Sequence, residues 1–336
     1  MGALGFKLKF GMFPSTKKIE KEHDTLLREY QEYQKYSKSD ELARFDYLNK
    51  YLDSPEFEER ENNPDVPREE INEIKNEFKR IKKSPDLLQY FKSKGREAKF
   101  APLKAWDLEF EDHFTGEKLD SDKWLTRYYW GDKLLKGAYT LPGDRHCNTN
   151  GKNISLSRSK LSIHTQKEAA EGLMWDPVFG FVHREFPYTS GLINTSKSFR
   201  QVYGKVEAKI KVPKGKAYHA FWLAGEQMLP QINVFKYSGK KFHLENFWGD
   251  MVTPNGIQKS STAISGAFAG KYYIFSLEWT PKRLEWSING EVFKTVSRDI
   301  PFEPLYIAFS SGVENDTRLS KSVKLEIDWV RFYSKA

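Results

Sequence analysis

The chain has 336 residues, 54 basic against 46 acidic side chains, a net charge of +8 and an aromatic content of 15%, which suits one large core with a smaller attachment. Basic and acidic residues nearly balance and no basic block reaches about five in a row, which argues against nucleic acid and leaves a polyanionic glycan or an acidic protein compatible with the charge. Cys147 is the only cysteine, which excludes an internal disulfide and a cysteine-based metal cluster.

The start, MGALGFKLKFGMFPS, is interrupted by Lys7 and Lys9, and no later stretch approaches the roughly 18 apolar residues of a membrane span. Neither a leader nor a spanning helix is expected, and no compartment is indicated. Gly2 is followed by Phe6 where a myristoylation signal has Ser or Thr. From Ser15 to Phe100 the chain is charged, lacks Trp and sets Leu26, Leu27, Tyr30 and Tyr33 at helical spacing. Helix starts are expected at Ser39-Asp40, at Asp65-Val66-Pro67 and at Ser84-Pro85, where Pro and acidic first turns suit a helix N-terminus. Over residues 1–105 Lys and Arg number 22 and Asp and Glu 20. This near-neutral region, 1–100, has a thin apolar stripe and is expected to pack on a second domain or a protein partner.

After Phe100 the period changes to two, in FRQVYGKVEAKIKVP, KYYIFSLEWTP, RLEWSINGEVFKTV and VKLEIDWVRFY. These runs predict antiparallel strands over residues 101–336. Leu284 to Val296 reads as a hairpin turning at Asn289-Gly290, and strands at such spacing predict a mainly β fold of two packed sheets.

Several segments in order carry a resemblance: WDLEFEDHFTG (106–116), LDSDKW (119–124), SGLINT (190–195), FRQVYGKVEAKIK (199–211), AFWL (220–223), EWTP (278–281), ING (288–290) and DWVRFY (328–333). Together they resemble glycoside hydrolase family 16, which implies a concanavalin A-like jelly roll of two antiparallel sheets. In that family the strand after AFWL carries a nucleophilic Glu, a helper Asp and an acid/base Glu, preceded by Trp-Pro. The matching segment here is Leu229-Pro230-Gln231-Ile232-Asn233-Val234-Phe235-Lys236. Residues i and i+2 share a strand face, and the extra residue before the third position needs a bulge to restore its aim.

The spacing is kept, while the side chains at the degenerate positions are Gln231, Asn233 and Lys236. Retaining hydrolysis needs two carboxylates about 5 to 5.5 Å apart. Amides cannot attack the anomeric carbon, and a lysine, with its usual pKa near about 10.4, is a poor acid/base at neutral pH. Glu226, Glu245 and Asp250 are the nearby carboxylates that a rebuilt, divergent glycosidase would use. Trp130, Trp175, Asn246 and Trp248, with Gln231 and Asn233, are the candidate carbohydrate-binding residues, because aromatic rings stack on sugar faces and amides bond hydroxyls. The family's structural calcium has a counterpart in Asp328, but His113 stands where its other acid would be, and calcium prefers oxygen. His113, His146 and Cys147 lack zinc spacing, so no cofactor is expected. The expected function is a catalytically degenerate family member that binds a polysaccharide in the residual cleft. The alternatives are an assembly subunit attached through residues 1–100, or the divergent glycosidase. An open groove beside Trp130 or Trp248 would favour binding, and a cleft plugged by side chains would favour assembly.

Overall fold

The computed structural model describes residues 13–251, 253, 255–314 and 317–336. The stretch Met1–Met12, read above as carrying no leader or myristoylation signal, lies outside the described residues. The chain divides into two compact units, Lys17–Ala105 and a larger one of Met1–Thr16 with Trp106–Ala336.

The smaller unit is helical. Thr16–Tyr36 is followed by Asp40–Leu52, Pro55–Asn62, Arg68–Lys82 and Pro85–Lys94. Ser39, Ser54 and Ser84 each accept a backbone N–H with the side chain at a helix start, satisfying donors that the first turn leaves free. Pro67 precedes Arg68–Lys82 as expected, and caps it without a side-chain bond. Leu42, Leu48, Ile81, Leu87 and Tyr90 form the small core. Tyr33 stacks on both Tyr90 and Phe100 at 5.3 and 5.4 Å, so ring contacts supplement the thin aliphatic stripe. Among the described residues no helix is long and apolar enough to cross a membrane.

The larger unit is the two-sheet antiparallel sandwich expected from the alternating runs. The first sheet has eight strands. Its order is Glu291–Val296, Leu284–Ile288, Tyr272–Trp279, Gly204–Lys211, Val323–Lys335, Leu161–Thr165 and Ile154–Leu156, with Trp106–Asp112 also paired to Val323–Lys335. The second sheet has six strands, ordered Ile257–Ser265, Lys241–Gly249, Gln231–Ser238, Tyr218–Ala224, Tyr306–Gly312 and Leu192–Asn194. Asn289 and Gly290 take φ of 48° and 77°, the left-handed pair that a two-residue hairpin turn requires. Asn289 also donates to the carbonyl of Pro14 at 2.9 Å.

Between the sheets lie Val206, Ala208, Ile210, Phe275 and Leu277 from the first and Phe221, Leu223, Ile232, Phe235, Phe242, Leu244 and Phe309 from the second. Burying each large apolar side chain stabilises the fold by roughly 1.5–3 kcal/mol. The second sheet is also covered on its outer face. Ala220, Trp222, Ala224, Tyr306, Ala308 and Leu192 are buried there against Tyr128 and Tyr139, which come from the connection running from Trp124 to His146. Every residue of Tyr218–Ala224 and of Tyr306–Gly312 is buried. Such strands, covered on both faces, read as continuous apolar runs, and YHAFWLA is one.

Candidate functional site

The outer face of the second sheet is where a family-16 cleft is expected, and strand pairing decides which residues point into it. Ala224, Trp222 and Ala220 pair with Gln231, Asn233 and Lys236, and the register slips by one residue between Asn233 and Phe235. Val234 is the extra residue of this bulge. It lets Asn233 and Lys236, three apart, share one face with Gln231, the aim inferred from the spacing.

The amide of Gln231 donates to the Asn233 side-chain oxygen at 2.8 Å. The Asn233 amide donates in turn to Glu245 Oε2 at 2.9 Å, and the Ser261 hydroxyl donates to Glu245 Oε1 at 3.0 Å. Asn233 and Glu245 are directly opposed in the ladder, as are Glu245 and Ser261, so the chain of bonds crosses three strands. Both carboxylate oxygens of Glu245 are held, and the residue is buried. The buried Lys294 ammonium donates to the carbonyls of Leu244 and Ser260 at 2.9 and 2.8 Å. Burial pulls its pKa down to about 8, against the opposing field of Glu245.

Lys236 leads to a cluster that sequence reading missed. Its ammonium pairs with Glu314 at 2.9 Å and lies 4.9 Å over the Tyr218 ring. The Tyr218 hydroxyl donates to Asp144 at 3.2 Å. Burial pushes the Asp144 carboxyl up to about 7, with the hydrogen bond from Tyr218 and the charge of Lys236 opposing and Glu314 adding to the rise. Glu314, Tyr218 and Asp144 come from three separated segments, and of these only Tyr218 carried a signal, its alternation with Ala220 and Trp222.

The other candidate residues are dispersed. Trp130 is half-buried, donates to the carbonyl of Glu226 at 2.8 Å and carries Lys133 4.8 Å over its ring. Trp175 is exposed on the hairpin Ala170–Asp176/Gly180–Phe186, edge-on to Phe181. Asn246 is fully buried and donates to the carbonyl of Asp299 at 2.8 Å. Trp248 lines a groove at the end of the strand. Glu226 pairs with Arg200 at 3.0 Å, whose hydrogen bond lowers its pKa. Asp250 accepts from Thr253. Asp328 pairs with Lys209 at 2.6 Å, and His113 sits 3.1 Å from Glu111. Among the described residues no group of three or more His, Cys, Asp or Glu side chains could hold a metal ion. Cys147 is buried, and burial raises its thiol pKa.

The family model of glycosyl hydrolases family 16 matches residues 142–331. The chain belongs to that family. The glucan endo-1,3-beta-glucosidase A1 of Niallia circulans is 22% identical to this family-16 chain over 277 residues, covering 69% of this chain and 38% of that protein. The glucan endo-1,3-beta-glucosidase of Cryptopygus antarcticus is 24% identical over 208 residues, covering 57% and 70%. The chain thus spans little more than a third of the Niallia protein. The catalytic domain of an endo-1,3-beta-glucanase from Thermotoga petrophila RKU-1 superposes with a TM-score of 0.53 at 21% identity, over 69% of this chain and 99% of that domain. LamAcat from Zobellia galactanivorans gives 0.53 at 22%, over 68% and 97%. Family membership and fold place the chain among glycan-binding or glycosidase-like proteins.

Proposed function

We propose that this family-16 domain binds a glycan and does not hydrolyse it. The observation that carries the reading is the hydrogen-bond chain Gln231–Asn233–Glu245–Ser261. It fills two of the three motif positions with amides and ties both oxygens of Glu245, the carboxylate that faces Asn233 across the ladder. Retaining hydrolysis uses two carboxylates about 5 to 5.5 Å apart, one of them free to attack; Gln231 and Asn233 supply neither. What remains for a sugar hydroxyl is the half-buried Gln231, whose side-chain oxygen and second amide proton take no part in that chain. The relatives named as endo-1,3-beta-glucosidases make β-glucans the first ligands to try. In affinity electrophoresis with β-1,3-glucan and mixed-linkage glucan the protein is expected to be retarded, while reducing-sugar release stays at background. Release that disappears in Glu245→Gln and survives Lys236→Ala would replace this reading with a rebuilt active site.

A second reading, an assembly subunit attached through the helical unit, draws on the roof over the central strands. Tyr128 and Tyr139 cover Trp222, Tyr306 and Ala308, so side chains plug that part of the cleft. Absence of both retardation and release across the glycan panel would favour it.

A further inference from the structure

We infer that the aromatic platform for the glycan lies off the motif face, in the groove beside Trp248, and that the ligand is an uncharged sugar chain; this rests on the glycan-binding reading above. Strand Lys241–Gly249 pairs with Ile257–Ser265 without a register break, so side chains alternate strictly. Glu245 and Phe247 take the motif face, and Asn246 and Trp248 take the other. Trp248 therefore emerges at the end of the sandwich, opposite the segment Asp299–Glu303, and the two walls enclose about 690 Å3. That volume falls within the roughly 300–1,000 Å3 of small-ligand sites.

The Asp299–Glu303 wall is fixed from the core. Asn246, fully buried, donates to the carbonyl of Asp299 at 2.8 Å, and the indole of Trp279 donates to the carbonyl of Pro301 at 2.9 Å. A groove held this way loses little entropy on binding. Phe302 is 74% exposed on its rim, an apolar surface that nothing in the unit covers. Pro230 also lines the groove and leads directly into Gln231, so groove and motif face adjoin.

The choice of ligand follows from charge. The ionisable residues lining the groove are Asp250, Asp299 and Glu303, and among the described residues no Lys or Arg lines it, although the whole chain carries +8. Among the described residues the charged side chains that a sulfated or uronic glycan would meet in the groove are carboxylates. A neutral chain offers hydroxyl donors to those carboxylates and the C–H faces of its rings to Trp248 and Phe302.

The test is isothermal titration of the full chain with laminaripentaose, and gel retardation in laminarin against carboxymethylated laminarin. Phe302→Ala removes a solvent-exposed ring and leaves the core intact; Trp248→Ala removes the ring of the opposite wall. Each is expected to weaken binding about tenfold, the equivalent of one stacked ring, with the neutral glucan preferred over its carboxymethylated form. Wild-type binding that neither variant changes, or a preference for the anionic glucan, would overturn this inference and leave the glycan-binding reading standing. No binding by the wild type across neutral and anionic glycans would overturn both.

Discussion

Replacing Asn233 with Asp is expected to cost about 3 kcal/mol of stability at neutral pH. Asn233 is 3% exposed, and its amide lies 2.9 Å from Glu245 Oε2. The substitution converts a donor into a second carboxylate at hydrogen-bond distance from the first, in a place with little water to screen the pair. Lys294 offsets only part of it through its charge, because two of its three ammonium protons are directed at the Leu244 and Ser260 carbonyls. The urea midpoint should fall accordingly, and Asn233→Asp combined with Glu245→Gln should recover most of the loss, since an amide again faces a carboxylate. An Asn233→Asp variant as stable as the wild type would show that Glu245 is not seated as described. The same physics bears on any attempt to reinstate hydrolysis. Gln231→Glu, Asn233→Asp and Lys236→Glu together would also break the Lys236–Glu314 pair and set a carboxylate near Asp144, so the restored triad is not expected to release reducing sugar.

The second large effect is acid lability. His146 and His219 are fully buried, and burial lowers their pKa values to about 4 and about 3. His146 accepts the backbone N–H of Val313 at 3.2 Å, and His219 sits 2.8 Å from the Ser311 hydroxyl. Both folded values lie below the unfolded value of about 6.5, so below pH of about 6.5 the unfolded chain binds protons that the native chain refuses. The stability these two histidines contribute is full above that pH and is lost as pH falls toward 4, while Asp144, whose carboxyl burial raises to about 7, works in the opposite direction over the same range. At pH 5 each histidine accounts for about 2 kcal/mol. Urea unfolding at pH 7.5 and pH 5.0 checks this through His146→Gln, which should gain about 2 kcal/mol relative to the wild type on going from pH 7.5 to pH 5.0. A His146→Gln variant whose pH dependence matches the wild type's would mean that this imidazole is reached by water.

Local periodicity carried much of the fold into view. The alternation in GKVEAKIK, the Asn289-Gly290 turn and the serine caps at Ser39 and Ser84 are decided by neighbours a few residues away. The motif geometry was legible for the same reason: the spacing from Asn233 to Lys236 contains the bulge at Val234. What surrounds the motif was not legible. Glu245 meets Asn233 because two strands share a register, Glu314 reaches Lys236 from beyond another strand, and Tyr128 and Tyr139 roof the sheet from a connection with little regular structure. Trp248 was visible as an aromatic residue beside turn formers, but its face follows from counting along a paired strand from Glu245.

The roof over Tyr218–Ala224 and Tyr306–Gly312 has a consequence for how the domain breathes. Buried on both faces and paired on both edges, these strands should hold their amide protons longest in deuterium exchange, to near the limit set by global unfolding. Ile257–Ser265, an edge strand with a single neighbour and exposed side chains, should exchange first. Its slow-opening centre and fast-opening rim would let the sheet accommodate contacts along one border while the packing beneath stays closed to solvent.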